Sequence, residues 1–382
     1  MELSVYKAGH YEQRYEYESF VPTPICHPWR FSDPEVIELL GRADRALGEL
    51  KAFAQLVPDI DFFIRMYVAK EATQSSRIEG TQTNIEDAFK EAEDLSPEAR
   101  NDWQEVQNYI QAIHTAISSL ERLPFSNRLL RETHAVLMQG VRGEAKQPGE
   151  FRISQNWIGV SLKNAAFVPP HHECVPELMS DMEKFLHDDA LRVPPLIRIA
   201  IAHYQFETIH PFLDGNGRLG RLMISLYLAS QGLLGKPALY LSDYFERNKT
   251  AYVDHLMAVR EGNHLRAWLV FFLHGVEETA HASIKVFREI LALKEEIERK
   301  VLPHFSQRRQ PNAQQLIRHL YQQPLTDIKA TTRRLDTTTN TAISLISDFK
   351  DHGVLVEITG QRRNRIFVFQ RYLQLFEKRK DD

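Results

Sequence analysis

Cysteine is nearly missing: Cys26 and Cys174 are the two in 382 residues, and they lie far apart in sequence. That excludes a disulfide framework and suits structural thiols in a reducing compartment. Long apolar runs are missing as well. The most apolar stretch, about Ala267 to Val276, is far too short to span a bilayer. Met1-Glu2-Leu3-Ser4-Val5 lacks the basic-then-apolar order of a signal peptide, so a cytoplasmic protein without a membrane partner is expected. Charge of one sign is not in excess: a net charge of −4 gives no global sign of nucleic-acid binding. A helical zinc-hydrolase motif is also lacking, because His203 and His210 are seven apart and have no i, i+4 histidine pair with a glutamate. An apolar share of 43% suits ordinary packed cores, and the length suits two or three domains.

What is present is concentrated in His210-Pro211-Phe212-Leu213-Asp214-Gly215-Asn216-Gly217-Arg218-Leu219-Gly220-Arg221. Upstream, Pro194 and Pro195 precede an apolar run with helical recurrence through Leu196, Ile199, Ala200, His203, Phe206 and Ile209. Pro211 disfavours the α region for His210 and marks the end of that helix. A second helix is expected from about Gly217 to a stop at Gly232. Gly215 and Gly217 permit backbone angles that other residues avoid, so the turn can gather its N–H groups. A glycine-bracketed turn feeding a helix N-terminus is a natural anion site. Arg218 and Arg221 add two permanent cations suited to phosphate oxygens. Asp214 can hold Mg²⁺, which takes one or two carboxylates alongside substrate phosphates. His210 can act as a general base toward a hydroxyl. The Gly-Lys-Ser/Thr ending of a P-loop is absent.

This segment resembles the Fic family signature His-x-Phe-x-Asp/Glu-Gly-Asn-Gly-Arg-x-x-Arg at every fixed position, and the preceding Ala202 to Ile209 is also similar to the family. The resemblance implies a mainly α fold: a Fic helical core with a small β-hairpin flap, transferring AMP from ATP to a Ser, Thr or Tyr hydroxyl of a protein. By that resemblance His210 deprotonates the hydroxyl and Asp214 holds Mg²⁺ on the α- and β-phosphates. Gly215, Asn216 and Gly217 form the anion cradle, with Arg218 and Arg221 on the β- and γ-phosphates. A phosphotransferase branch of the superfamily lacks the glycine-containing loop and the last arginine, so Gly215, Gly217 and Arg221 favour nucleotidyl transfer.

Residues 61 to 79 read as a helix that Gly80 terminates. Glu79 then stands where the helix dipole disfavours a carboxylate unless a cation is held against it. Ser75-Ser76-Arg77-Ile78-Glu79-Gly80 is similar to the inhibitory motif Ser/Thr-x-x-x-Glu-Gly/Asn of class II Fic proteins. The resemblance implies that Ser75, Glu79 and Gly80 form a brake, with Glu79 on Arg221 keeping ATP out of its productive position.

Three segments are expected: 1–120, an N-terminal arm and helical region carrying the inhibitory helix; 121–302, the catalytic core; and 303–382, a winged-helix-like α+β domain. The first 35 residues, rich in aromatics and prolines, read as an extended arm with a short strand pair. Helical stripes follow at Val36-Ile37-Leu39-Leu40 and Leu47-Leu50-Phe53-Leu56, then Asn101 to Leu120. Phe151 to Val160 and Ala165 to Pro170 read as a hairpin turning at Lys163-Asn164. Its place matches the family flap, so Ile158 is expected over the nucleotide, with main-chain pairing to a target segment. Past Tyr240 a helix resembles by position the part of the Fic domain that receives adenine, and the resemblance implies Tyr252 and Asn248 as contacts, with Tyr244 and Arg260 as further candidates. Trp268, Phe271 and Phe272 read as core of the next helix, and Val276 to Leu302 as a long charged one.

From about Gln307 basic side chains outnumber acidic ones. Asn312 to Tyr321, Asp327 to Leu335 and Thr338 to Asp351 read as helices, followed by strands Val354 to Ile358 and Arg365 to Phe369. Three helices and a two-stranded wing resemble the winged-helix fold. DNA is then one partner to weigh, through Arg362, Arg363 and Arg365, but the third helix offers Thr, Asn, Ser and Asp and little positive charge. Protein docking or dimer formation is the competing use, and family members often form homodimers. The function expected is an autoinhibited adenylyltransferase acting on an unknown target protein and itself. The alternatives are a winged-helix transcriptional regulator using the Fic-like core as a nucleotide sensor, and an enzyme with another donor.

Overall fold

A computed structural model describes residues 1–57, 60–141, 146–234 and 238–377, so the last residues of the expected tail domain lie outside it. The chain is mainly helical with small antiparallel sheets. The arm forms β1 (Gly9–Gln13) and β2 (Glu18–Pro22), paired with Gly9 opposite Pro22. Helices α1 (Pro34–Leu56), α2 (Ile60–Ile78), α3 (Ala99–Ser119) and α4 (Asn127–Leu137) follow. Asp33 starts α1 by accepting from the Val36 N–H at 3.1 Å, with Pro34 in the first turn, as capping chemistry favours. Of the expected stripes, Val36, Leu39, Leu47 and Leu50 are buried, whereas Ile37 and Leu56 fall on the outer face, 51% and 79% exposed.

A short hairpin, β3 (Ile158–Gly159) with β4 (Ala165–Phe167), precedes α5 (Val175–His187) and α6 (Pro195–Ile209). Every residue of α6 from Leu196 to Ile209 is buried, so its apolar run marks a helix wrapped on all sides rather than one face. Helix α7 (Asn216–Ser230) packs on it, and Gly232 follows at φ +64°, in the conformation that ends helices. Then come α8 (Ser242–Arg247), α9 (Lys249–Gly262) and α10 (Leu265–Glu296), the last running into a π-helical turn at Ile297–Val301.

Three expectations are corrected. The Tyr240 region is two helices, because the chain bends at Asn248, whose Nδ2 donates to the Tyr244 carbonyl at 2.9 Å. The Trp268 core segment and the charged segment after Val276 are one helix, α10; charged residues occupy its outer face while Phe287, Ile290 and Leu293 stay buried. Residues 151–157 are not strand, because Arg152 and Asn156 spend their side chains on the neighbouring loop. Helices α4 and α5 carry no expectation from the sequence at all.

The tail comprises α11 (Gln310–Gln322), β5 (Leu325–Asp327), α12 (Ile328–Arg334), α13 (Thr339–Asp351), β6 (Val356–Glu357), β7 (Ile366–Val368) and α14 (Gln370–Gln374). Its sheet has three strands in the order β5-β7-β6, one more than expected, because Leu325-Thr326-Asp327 adds to the edge of β7. The tail rests on α2: Phe63 meets Tyr321 at 5.4 Å between ring centroids, and Tyr67 meets Phe376 at 5.2 Å. Among the described residues no helix is long and apolar enough to cross a membrane.

Candidate functional site

The loop between α6 and α7 is held in shape from several sides. His210 ends α6 at φ 50°, ψ 60°, in the left-handed region that histidine tolerates better than most residues. Asn216 accepts from the Phe212 N–H at 2.9 Å and donates to the Phe212 carbonyl at 2.8 Å. Asn156 donates to the Phe212 carbonyl at 2.9 Å, and Arg152 Nε donates to the His210 carbonyl at 2.9 Å. From α4, His134 stacks on Phe212 at 3.9 Å. Its Nδ1 accepts from the Gly149 N–H at 2.8 Å, so its proton sits on Nε2 and goes to the Asp214 carbonyl at 2.9 Å. Gly215, at φ +73°, leaves room that a Cβ would not: one would come 2.6 Å from Met138 Sδ.

This loop borders a cavity of about 600 Å³, within the usual range for small-molecule sites. One end is cationic and amide-rich: Asp214, Gly215, Asn216, Gly217, Arg218 and Arg221 line it, and the first-turn N–H groups of α7 have no intrahelical acceptor. The other end is apolar, built from Ile158 and Phe167 of the hairpin and Val253, Leu256 and Met257 of α9.

Arg221 is 3% exposed. Its Nη2 meets Glu79 Oε1 at 2.6 Å and the Ser75 carbonyl at 3.0 Å, while Nε donates to Ser75 Oγ at 2.9 Å. Gly217 makes this possible, since a Cβ there would lie 2.3 Å from Glu79 Oε1. Gly80, at φ +103°, ends α2 immediately behind. Enclosure by protein pushes the Glu79 carboxyl up, but the Arg221 charge and hydrogen bond outweigh it and hold the group below the usual carboxylate range. Its side chain stays 40% accessible because it faces the open cavity. Arg218 is taken by Glu105 at 3.0 Å. Burial likewise raises Asp214, yet Lys146 at 3.1 Å and the Gly215 N–H bring its carboxyl below the usual range.

Burial pushes the His210 imidazole down to about 4, helped by the Arg260 and Arg152 charges and only partly opposed by Glu79. A histidine so lowered is neutral above that value and can accept a proton. The ring signal of His210 in histidine-labelled protein, assigned by its disappearance in His210→Asn, should therefore stay unshifted from pH 8 to 5.5. A midpoint near 6.5 would mean the ring is solvated.

The structure thus brings together His210, Ser75, Glu79, Asp214, Gly215, Asn216, Gly217, Arg218, Arg221, Ile158, Tyr252 and Arg260. Tyr252 is fixed by His203, whose Nδ1 donates to the Gly220 carbonyl and whose Nε2 accepts the Tyr252 hydroxyl, both at 2.9 Å. Tyr244 and Asn248 are not brought to the cavity. The Tyr244 ring fills the space over Gly275, where a Cβ would come 2.7 Å from it, and Asn248 closes the end of α8. Sequence reasoning missed Glu105, Lys146, Lys249 and Glu207. It also missed Val253 and Met257, although the spacing of 253, 256, 257 and 260 marks one helical face. Lys249 donates to the Ile78 carbonyl at 2.6 Å, against the C-terminal end of α2. Burial pushes Glu207 up to about 7, with Arg221 pulling it down and Glu79 adding to the rise.

Two family models match the chain: Fic/DOC family N-terminal at residues 37–118 and Fic/DOC family at residues 124–228. The chain is 37% identical over 87 residues to the protein adenylyltransferase fic-1 of Caenorhabditis elegans, covering 22% of this chain and 16% of that protein. It is 33% identical over 132 residues to the protein adenylyltransferase Fic of Aedes aegypti, covering 34% of this chain and 24% of that protein. The match thus spans a quarter or less of these relatives. A Fic family protein from Desulfovibrio desulfuricans G20 superposes with a TM-score of 0.55 at 19% identity, over 90% of this chain and 98% of that one. A Fic domain containing signaling protein from Bacteroides thetaiotaomicron VPI-5482 gives 0.53 at 16% identity, over 67% and 97%. At those identities the likeness is one of fold.

Proposed function

Because this chain carries the N-terminal and core domains of the Fic/DOC family, we propose that it is an autoinhibited protein adenylyltransferase, moving AMP from ATP to a Ser, Thr or Tyr hydroxyl of a target protein and of itself. The observation that carries this reading is one cavity in which a neutral imidazole, a helix N-terminus and two arginines converge, with the inner arginine held by a glutamate.

The target hydroxyl oxygen attacks the α-phosphorus, the bond to the β-phosphate oxygen breaks, and pyrophosphate leaves. His210 takes the hydroxyl proton, a role open to it because burial keeps its ring neutral above pH about 4. The first turn of α7 receives phosphate oxygens on its N–H groups, and Arg218 and Arg221 offset the charge they bring. Asp214 is a half-buried carboxylate kept ionised beside that turn, a donor that Mg²⁺ takes alongside substrate phosphates. Asp214 would hold Mg²⁺, which when bound would supply positive charge beside the phosphates. Ile158 and the apolar face of α9 enclose the nucleoside. While Glu79 occupies Arg221, the γ-phosphate has no place on it, and this is the brake.

A nucleotide-sensing regulator would need the phosphate grip but not the imidazole, so His210 in the cavity favours the enzyme. We read 1–120, 121–302 and 303–382 as arm with brake, core and winged-helix-like tail. The tail fits protein docking or a dimer contact better than DNA: α13 exposes Thr339, Asn340, Ile343, Ser344 and Ser347, and Lys350 is its single cation.

Incubation with labelled ATP and Mg²⁺ tests the reading, comparing wild type, Glu79→Gly and His210→Asn. Label on Glu79→Gly that vanishes when His210→Asn is added supports it; no label on any form sinks it. In the Glu79→Gly protein, Asp214→Asn should raise the Mg²⁺ concentration needed for half-maximal labelling about tenfold or more, in line with removal of one charged donor. An unchanged requirement would remove Asp214 from the metal.

A further inference from the structure

Glu207 sits on the last turn of α6, three residues before His210, and its side chain lines the cavity. It is 6% exposed, and its Oε1 has no hydrogen-bond partner among the described residues. Several of its polar neighbours are already engaged. Arg260 donates to Thr208 Oγ1 at 3.1 Å and to the Glu207 backbone carbonyl at 3.0 Å; Tyr252 is on His203, and Arg221 is on Ser75 and Glu79. An enclosed carboxyl with no donor carries a desolvation penalty that a bound donor would remove. The chain also makes room for it, because a Cβ at Gly220 would lie 2.3 Å from Glu207 Oε1.

Its position decides what kind of donor fits. The cavity that Glu207 lines has Arg221 and Glu79 at its phosphate-binding end and Tyr252 and Arg260 on its α9 side. A carboxylate would repel phosphates, so it does not belong to their cradle. At the junction of the cationic and apolar ends, the groups a nucleotide presents are the neutral O–H donors of its sugar and the N–H donors of its base. We propose that Glu207 is a specificity-determining residue that accepts a hydrogen bond from a neutral donor on the nucleoside of the bound ATP. This rests on reading the cavity as an ATP site.

The test is calorimetric titration of the full-length Glu79→Gly protein, alone and combined with Glu207→Ala or Glu207→Gln. The probes are ATP, 2′-deoxy-ATP, 3′-deoxy-ATP and purine riboside triphosphate, which lacks the base amine. Glu207→Ala should weaken ATP about tenfold or more, as expected when the buried acceptor of a ligand hydrogen bond is removed. Glu207→Gln, which keeps a carbonyl acceptor, should recover most of that loss. One analogue should bind equally well with and without Glu207→Ala: a deoxy analogue assigns the donor to the sugar, and the purine analogue assigns it to the base. An equal loss for all four probes, or no loss for any, overturns the proposal, since Glu207 would then act through Arg221 or packing alone. If ATP itself fails to bind the Glu79→Gly protein, the reading of the cavity falls and takes this proposal with it.

Discussion

Replacing Glu79 with glycine should raise ATP-dependent labelling of the full-length chain by roughly 10- to 150-fold, the range that a charge-assisted hydrogen bond is worth. Wild-type ATP must displace a carboxylate held at 2.6 Å from Arg221, and must place its last phosphate near that negative charge. Glycine removes both obstacles at once. Glu79→Gln separates them: it keeps a polar group on Arg221 but not the charge, and should fall between wild type and Glu79→Gly. Glu79→Gly should also cost stability, because Arg221 then keeps only its Ser75 hydrogen bonds. The loss should be about 1–2 kcal/mol, a reduced figure because the Glu79 side chain is 40% accessible, and saturating ATP should restore it. Labelling that does not rise would show that the brake lies elsewhere.

Replacing His210 in the Glu79→Gly background should lower labelling by about 10²- to 10⁴-fold, the usual effect of a positioned base. Asparagine is the better probe than alanine. The backbone at 210 is left-handed, with φ 50°, and asparagine adopts that conformation readily, so the loop between α6 and α7 keeps its shape. Nucleotide affinity should stay within about threefold, because ATP is gripped by α7 and its arginines rather than by the ring. A fall in affinity as large as the fall in rate would make His210 a binding group and leave the reaction without its base.

The helices α1, α2, α6 and α7 were legible because each couples an apolar period to a local stop or start: Asp33-Pro34, Gly80, Pro195 with Pro211, and Gly215; α3 was legible from its apolar stripe alone. The flap strands were overread, because Arg152 and Asn156 sit in a β-prone segment but bond sideways to the loop carbonyls at 210 and 212. The third tail strand escaped notice because three residues are too few to show a period. Tyr244 resembled Tyr252 in sequence. Only the bend at Asn248 sends one ring toward Gly275 and the other toward His203.

By itself the amino-acid order determined the reactive loop. Twelve consecutive residues contain the base, the metal-type carboxylate, the glycines and both arginines, and backbone preferences over so short a span are local. It also determined that Glu79 stands at a helix end where a cation is wanted. Tertiary structure brought Glu79 onto Arg221, 142 residues away, the pairing that only the family resemblance had implied. It alone decided that Glu207 lines the cavity with Oε1 lacking a hydrogen-bond partner among the described residues, and that the tail rests on the helix that ends beside Glu79. The reason is that burial rewards area removed from water without regard to chain position, so which distant faces meet is settled by the packing of the whole rather than by any segment.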